Sequence, residues 1–447
     1  MIKDLVPVIG IEVHVEPKTE SKMFCDCGAQ HFGVEPNTNV CPVCLGMPGA
    51  LPVPNRVALE QLVFLGSALG CTTNKYSYFE RKNYFYPDLP KGYQISQYRK
   101  PLCVSGQLPL PSGKVVRINR AHMEEDTAKM KHLGNESLID FNRSGVPLIE
   151  IVSEADITSA SEAKEYLKQM ARLIRWLNIS DASMEKGTMR LEANISLQES
   201  KQFTVHSSQV FPKGKYKLNP RVELKNINSF RFVEKAIEYE IGRQTEILES
   251  GGSLVQETRG WDEKKQATFA QRTKETSSDY RYFPEPDVPP VKVGSGEWKV
   301  ESLGILPWEV DEKLAKEYQV PYRYIAIIAE NKEKYEFFEL CLKKAGGKVR
   351  PEMVARVVAN TKCELTEDFA KEIVEKLEKY QKDFAMDDES VTEIARKIID
   401  ENQRTVADYK GGKENALHSL VGAAMISLKG RGDPKQLAEK LRNILNG

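Results

Sequence analysis

Over the first 293 positions the apolar residues come mostly in short runs broken by glycine, proline and asparagine, which is the pattern of strands. Val8 to Val15 alternates as a strand. Only three stretches switch to helical period. Asn55 to Gly70 carries Val57, Leu59, Leu62, Val63, Leu65 and Leu69 and stops at a glycine. Ser159 and Glu162 make a capping box for a helix running to about Asn178, with Ala163, Tyr166, Leu167, Met170, Leu173, Ile174 and Leu177 as its buried face. Ser229 opens the third, whose Phe232, Val233, Ala236, Ile237 and Ile241 face inward until Gly251-Gly252. Strand candidates lie between them: Val115 to Ile118, Ser137 to Phe141, Leu148 to Val152, Met189 to Leu197 and Arg221 to Leu224. Three helices are too few for a regular βαβ alternation, so the pattern predicts an α+β domain on an antiparallel sheet.

The pattern then changes. Phe283 to Pro290 holds four prolines in eight residues and reads as an extended strap or linker. Beyond Trp308 the chain is charged and helical, with apolar spacing in Ile373 to Leu377 and Val391 to Ile399, and a glycine-rich break at Lys429 to Asp433. The expected division is a first domain over 1–293, a helical connector over 294–372 and a C-terminal bundle over 373–447.

At 447 residues two or three domains are expected. The 64 acidic and 64 basic residues cancel, so any nucleic-acid surface is a local patch. No run approaches about 18 apolar residues and Met1 to Gly10 has no long apolar core, so no membrane span or leader is expected, and a cytoplasmic location follows as the natural reading.

Half of the eight cysteines sit in Cys25-x-Cys27 and Cys41-x-x-Cys44. Two tight pairs of thiolates match a closed tetrahedral Zn²⁺ knuckle over 25–44, structural because it leaves no open position for catalysis. Four reduced thiols without metal, or two disulfides, are the alternatives, and His31 in the intervening loop could replace one sulfur.

Candidate chemistry lies elsewhere. Glu12 and His14 are two apart on the first strand and share a face. The run His122-Met-Glu124-Glu125-Asp126 is the densest acidic cluster of the first domain, and Glu150, Glu192 and Glu223 each interrupt an apolar strand. Charges about 4 Å apart repel by roughly 4 kcal/mol at an effective dielectric near 20, so carboxylates on successive strands need something positive among them. Oxygen ligands with one imidazole suit Mg²⁺ or Mn²⁺, the usual companions of nucleotide phosphates. A solvent-facing glutamate on a half-buried strand is the plainer alternative for each. No P-loop, Rossmann fingerprint or nucleophile elbow is present. Arg81 to Gln97 interleaves cations, aromatics and amides. Its Arg81, Lys82, Tyr84, Lys91 and Tyr93, with Arg281 in the similar Asp279 to Asp287 run, are candidates for binding substrate or nucleotide, or for ordering a loop.

Gly10 to His14, the cysteine quartet with Leu-Gly-Met-Pro-Gly-Ala-Leu-Pro after it, Arg81 to Gln97, His122 to Asp126, Leu148 to Glu154 and Asp279 to Pro286 together resemble the GatB subunit of the bacterial tRNA-dependent amidotransferases, in order and over essentially the whole chain. The resemblance implies a catalytic cradle akin to glutamine synthetase, an all-α connector and a tail that holds tRNA. It also implies use of ATP and Mg²⁺ (or Mn²⁺) to phosphorylate the side-chain carboxylate of misacylated Glu-tRNA(Gln) or Asp-tRNA(Asn). Ammonia would come from a glutaminase (amidase) subunit, with a small third subunit completing a heterotrimer. By resemblance Glu12, His14, Glu125 and Glu150 are catalytic and metal-binding, with Glu124 and Glu192 as further Mg²⁺ partners; at 192 an aspartate is expected in much of the family. Lys429 and Arg431 are the tail's candidate tRNA contacts, or else part of a solvated face. The helical region between about Val357 and Glu375 is shorter than the family pattern. The competing reading from another class is a zinc-containing RNA-binding scaffold without activity of its own.

Overall fold

The computed structural model describes residues 5–200, 203–206, 209–212, 219–273, 280–294, 302–384, 388–413, 415–428 and 434–446. The chain divides into two compact units, Met1–Glu309 and Val310–Gly447.

The first unit is the expected α+β fold. Nine strands form one sheet in the order Ala267–Thr273, Glu257–Asp262, Val222–Lys225, Met189–Glu199, Leu5–Val15, Pro147–Ser153, Val115–Glu125, Cys103–Pro109 and Thr72–Thr73. Pairing is antiparallel except between Val222–Lys225 and Glu257–Asp262. The first strand therefore lies at the centre of the sheet. Its alternation sends Ile9, Ile11, Val13 and Val15 into the core, fully buried, and leaves Glu12 and His14 on the other face.

Helices α1 (Arg56–Ala68), α2 (Ala160–Trp176) and α3 (Phe230–Glu249) contribute to the same hydrophobic core as those inward residues. Each starts where an oxygen side chain can satisfy a free N–H of the first turn: Asn55, Ser159 and Ser229 accept from the amides of Ala58, Glu162 and Phe232. The predicted inward faces hold, with Ala163, Tyr166, Leu167, Met170, Leu173 and Ile174 fully buried. Burying each large apolar side chain contributes about 1.5–3 kcal/mol, which fixes the helices on one side. The polar face of the first strand lies opposite them.

The predicted strands recur with longer bounds. The one expected over Val115 to Ile118 continues to Glu125, so the acidic run is itself strand. Its last five residues, Ala121 to Glu125, are buried, and pairing with Pro147–Ser153 overrides the low strand preference of glutamate. The proline-rich segment is a strap sewn onto small sheets: Phe283–Pro284 pairs with Glu80–Asn83, and Val291–Lys292 with Tyr76–Ser77. Arg81 grips it, giving Nε and Nη2 to Glu285 at 2.6 and 2.9 Å, with Asp287 at 3.5 Å.

The second unit is helical, as its apolar spacing predicts. Lys332–Ala345, Pro351–Asn360 and Glu367–Phe384 pack together, the first ending on Gly346 in the left-handed conformation (φ 54°). Asp388–Glu401, Gln403–Lys410, Asn415–Ser427 and Pro434–Asn446 share a core of Val391, Ile398, Leu417, Leu420, Leu437 and Leu441. Lys429 and Arg431 lie outside the described residues.

The Glu285 side chain is fully buried, so Arg81→Ala should leave an uncompensated carboxylate and destabilise the first unit by about 3 kcal/mol in urea unfolding. A loss below about 1 kcal/mol would mean that Arg81 is not the strap's anchor.

Candidate active site and cysteine cluster

Four strands bring charged residues into one row on the open face. His14 pairs in register with Glu150 on one side and Arg190 on the other, and Glu150 pairs with His122. His14 Nε2 lies 3.6 Å from Glu150 Oε2, and His122 Nε2 lies 3.4 Å from both Glu150 Oε2 and Glu124 Oε1. Ligand atoms of His14, Glu124 and Glu150 all fall within 4.8 Å of one another. Ser96 Oγ (2.6 Å) and Gln94 Nε2 (3.0 Å) donate to Glu124 and fix its carboxylate, while Lys82 Nζ approaches it at 3.9 Å.

This crowding sets the proton affinities. Burial pushes the His14 imidazolium toward losing its proton, but the hydrogen bond and charge of Glu150 outweigh that and raise its pKa to about 9. Burial likewise pushes Glu150 up, and the His122 and His14 imidazoles hold it well below the usual carboxylate range. For Glu124, burial is offset by the Lys82 ammonium, leaving it lowered. Glu12 is raised, by burial first and then by the charges of Glu150 and Glu192. A cation held by His14 needs the Nε2 lone pair, so cation and proton exclude each other at that atom.

Most of the acidic residues singled out in the sequence meet here, and one does not. Glu12 shares the face and accepts from Asn194 Nδ2 at 2.9 Å; Glu192 is held by Lys225 at 2.9 Å. Glu125 is the exception, because adjacent strand residues point to opposite faces. It turns away from Glu124 and takes Lys91 Nζ at 2.5 Å and the Ile95 amide at 2.9 Å. The structure therefore gathers Glu124, and not the expected Glu125, with His14 and Glu150. Lys82 and Tyr84 line a cavity of about 400 Å³ with His14, Glu124, Arg190, Lys225 and Tyr280. Lys91, Arg81 and Tyr93 belong to a different group, where the Arg81 guanidinium stacks 4.3 Å over the Tyr93 ring and grips the strap. Arg281 is exposed, at φ 43°, and its carbonyl accepts from Asn83 Nδ2. His122, Arg120, Lys225 and Asn194 were not among the sequence candidates. His122 had a legible signal, standing two residues before Glu124 and hence on its face; the others are brought in by strand pairing.

The four knuckle sulfurs also converge within 4.8 Å. His31 is not among them, because its Nε2 is 2.8 Å from Glu16 Oε2. A hydrogen bond from Cys25 and the Lys22 ammonium draw the Cys44 thiol down to about 4, against its burial, and burial pushes Cys27 up to about 11. Lys22 is buried, with Nζ 3.7 Å from Cys44 Sγ and 3.2 Å from the Phe141 carbonyl.

The donor sets fit different metals. Four thiols suit Zn²⁺, and the bound thiolates would leave a net charge that the Lys22 ammonium partly offsets. One imidazole with two carboxylates suits Mg²⁺ or Mn²⁺. Buried polar atoms without partners gather around this second set, namely His122 Nδ1, Arg120 Nε, Arg190 Nε and Asn194 Oδ1, as at a site whose hydrogen bonding a ligand completes.

The antiparallel sheet thus presents one imidazole and two carboxylates, close enough to share a cation, to an open cavity that carries Lys82 and Lys225. The family profile of the GatB/GatE catalytic domain matches residues 7–299, and that of the GatB domain matches residues 355–445. The B subunit of the aspartyl/glutamyl-tRNA(Asn/Gln) amidotransferase of Thermoanaerobacter pseudethanolicus is 43% identical over 487 aligned residues, with 98% of this chain and 99% of that protein covered. The corresponding proteins of Persephonella marina (98% and 99% covered) and Thermotoga petrophila (99% and 99%) are 41% and 40% identical. This chain belongs to the GatB/GatE catalytic-domain family. The aligned spans exceed the chain's own 447 residues, so these relatives carry residues that it lacks.

Glu124→Gln should weaken Mn²⁺ binding by about tenfold or more in an EPR titration, whereas Glu125→Gln should leave it within about twofold. Equal losses would restore Glu125 to the cation site. Lys22→Met should lower zinc affinity about 10- to 100-fold in a chelator competition, and unchanged affinity would reduce Lys22 to a packing residue.

Proposed function

We propose that this chain is the activating subunit of a glutamine-dependent tRNA amidotransferase, converting Glu-tRNA(Gln), Asp-tRNA(Asn) or both into the amide. The observation that carries this reading is the convergence of His14, Glu124 and Glu150 on the open face beside Lys82 and Lys225. A carboxylate does not react with ammonia until its oxygen becomes a leaving group. Bound ATP supplies the phosphoryl group for that purpose, with Mg²⁺ or Mn²⁺ offsetting charge between the two anions.

The residues then divide the work. His14, Glu124 and Glu150 hold the cation, with Glu12 and Glu192 beside them. Lys82 and Lys225 add positive charge where phosphate oxygens gather, and the Tyr84 and Tyr280 rings, 5.9 Å apart edge to face, wall the cavity. Gln94 and Ser96 position Glu124. Ammonia displaces phosphate from the activated carbonyl and loses a proton as the amide forms.

The same reading assigns partners. A glutaminase (amidase) subunit supplies ammonia, a small third subunit completes a heterotrimer, and misacylated tRNA is the substrate. The cysteine cluster holds structural Zn²⁺. Residues 1–293 form the catalytic cradle, 294–372 the connector and 373–447 a tRNA-holding tail that includes Lys429 and Arg431. No helix among the described residues is long and apolar enough to cross a membrane. A cytoplasmic location is part of this proposal.

The test is reconstitution. Purified with its partner subunits, glutamine and ATP, the chain should amidate misacylated tRNA, and Glu150→Gln should cut turnover by at least about 100-fold with the complex still assembled on gel filtration. An assembled wild-type complex that binds charged tRNA without amidating it would establish the scaffold reading instead.

A further inference from the structure

One stretch of the first unit has no part in the chemistry described above. The chain is 29% charged, yet no Asp, Glu, Lys or Arg stands between Glu35 and Arg56. The second half of that stretch, Leu45-Gly-Met-Pro-Gly-Ala-Leu-Pro-Val-Pro-Asn55, leaves the cysteine cluster at Cys44 and runs in neither helix nor strand to the cap of α1. Its apolar side chains face outward. Met47, Leu51, Val53 and, in the first turn of α1, Val57 are 51, 63, 70 and 52% exposed. Scattered singly, such residues mean little, but gathered on one uncharged strap they make a patch of the kind that another molecule covers. The strap is also held in shape. Pro48, Pro52 and Pro54 fix their φ angles, Gly46 and Gly49 turn the chain at φ 67° and 82°, and the Val53 and Asn55 amides donate to the Phe24 and Met23 carbonyls at 3.0 and 2.7 Å. A surface already ordered loses little conformational entropy on binding.

We infer that residues 45–57 are the docking surface for the ammonia-supplying subunit, which meets them with an apolar, uncharged face of its own. The inference rests on the proposed function. RNA is the wrong occupant, because its phosphates need cations and its bases need rings to stack on. The strap has no aromatic residue, and Arg56, its one cation, gives Nε to Glu60 at 2.9 Å. A lipid surface fails too, since an interfacial anchor combines apolar side chains with a basic face. A protein partner fits, because burying the four side chains against an apolar face removes water from both. Position then selects the subunit. Gly46 rests on Lys91, where an added Cβ would collide with Cγ, and Lys91 holds Glu125, the sequence neighbour of Glu124. The strap is thus one side chain away from the strand that carries Glu124. Ammonia freed into water becomes ammonium, which has no lone pair for the activated carbonyl, so its source gains most from standing against the activating unit.

The full chain, assembled with its partner subunits, supplies the test. With Leu51 exchanged for the photo-crosslinking residue benzoylphenylalanine, irradiation should join this chain to the glutaminase subunit. A cross-link to the small third subunit, to the RNA or to a second copy of the chain would overturn the inference, as would the absence of any. Leu51→Glu with Val53→Glu places charges at positions already solvated in the free chain, so the fold is kept and only a buried apolar contact suffers. The pair should weaken binding of the glutaminase subunit about tenfold or more and lower glutamine-dependent amidation with it, whereas Mn²⁺ affinity and amidation fed by ammonium chloride should stay within about twofold of wild type. Unchanged affinity for the subunit would return the strap to an ordinary exposed loop. Should the acidic pair lose Mn²⁺ affinity through misfolding, the neutral pair Leu51→Ser and Val53→Ser carries the same test with the same expected direction. Failure of the underlying reading looks different, because the wild-type complex would then amidate charged tRNA with neither glutamine nor ammonium chloride while the cross-link still formed.

Discussion

The structure depends on burying like charges together. Glu150 and Glu124 are both nearly inaccessible and share one imidazole, His122, which stands 3.4 Å from each. At such separations bare repulsion would cost several kcal/mol per pair, and desolvation adds to it. The sheet tolerates this because the partners of the carboxylates are built into the same and neighbouring strands. His122 alternates with Glu124 on one strand, His14 arrives from the next but one, Lys82 reaches in from the small sheet beneath the strap, and Gln94 and Ser96 supply donors to the carboxylate oxygens. Removing any strand would leave a charge without its partner. Register is thus specified electrostatically as well as by the hydrophobic alternation of the opposite face.

That dual specification explains what was readable in the sequence. The helices were legible because caps and the 3.6-residue period are local signals: Asn55, Ser159 and Ser229 begin helices where their side chains meet an amide three residues on. The first strand was legible because its buried and open faces alternate cleanly. The acidic run at His122 to Asp126 was not, since its composition argues against a strand and only its neighbours across the sheet make it one. Missing that strand removed the parity rule that separates Glu124 from Glu125. Once the strand is known to continue through Glu125, the two glutamates must face opposite sides, and Glu125 meets Lys91 instead of His14 and Glu150. Arg81 is a comparable case: its partner Glu285 is about two hundred positions away, and no local pattern announces a pair formed across the strap.

The polar face gains function from where the helices are. Because α1, α2 and α3 pack into the core with Ile9, Ile11, Val13 and Val15, the opposite face can remain concave and wet along the whole first strand. Two cavities lie along it, one lined by His14 and the other by Glu12 and Gly10, and they differ in character for a reason of sequence parity. Position 14 offers an imidazole, 12 a carboxylate and 10 no side chain at all, so polar reach falls off steadily from one end of the strand to the other. A single strand thereby grades the surface from imidazole and carboxylate to open floor.

The cysteine cluster is tied to this face through short, direct contacts. Lys22 joins the Cys44 sulfur to the Phe141 carbonyl, and the Met23 amide donates to the Gly145 carbonyl, so the knuckle grips residues 141–145 immediately before the strand that carries Glu150. Gly145 is needed there: at φ 84° its position disfavours a side chain, and an added Cβ would come within 3.4 Å of Cys44. On the other side of the loop, His31 bonds Glu16, which lies 3.8 Å from Arg190, and Arg190 pairs with Asp126, next to the two glutamates. The two acidic strands are therefore held from the knuckle at one shared edge, where the start of Pro147–Ser153 lies beside the finish of Val115–Glu125. Anchoring that edge limits how far Glu150 and Glu124 can move apart under their mutual repulsion.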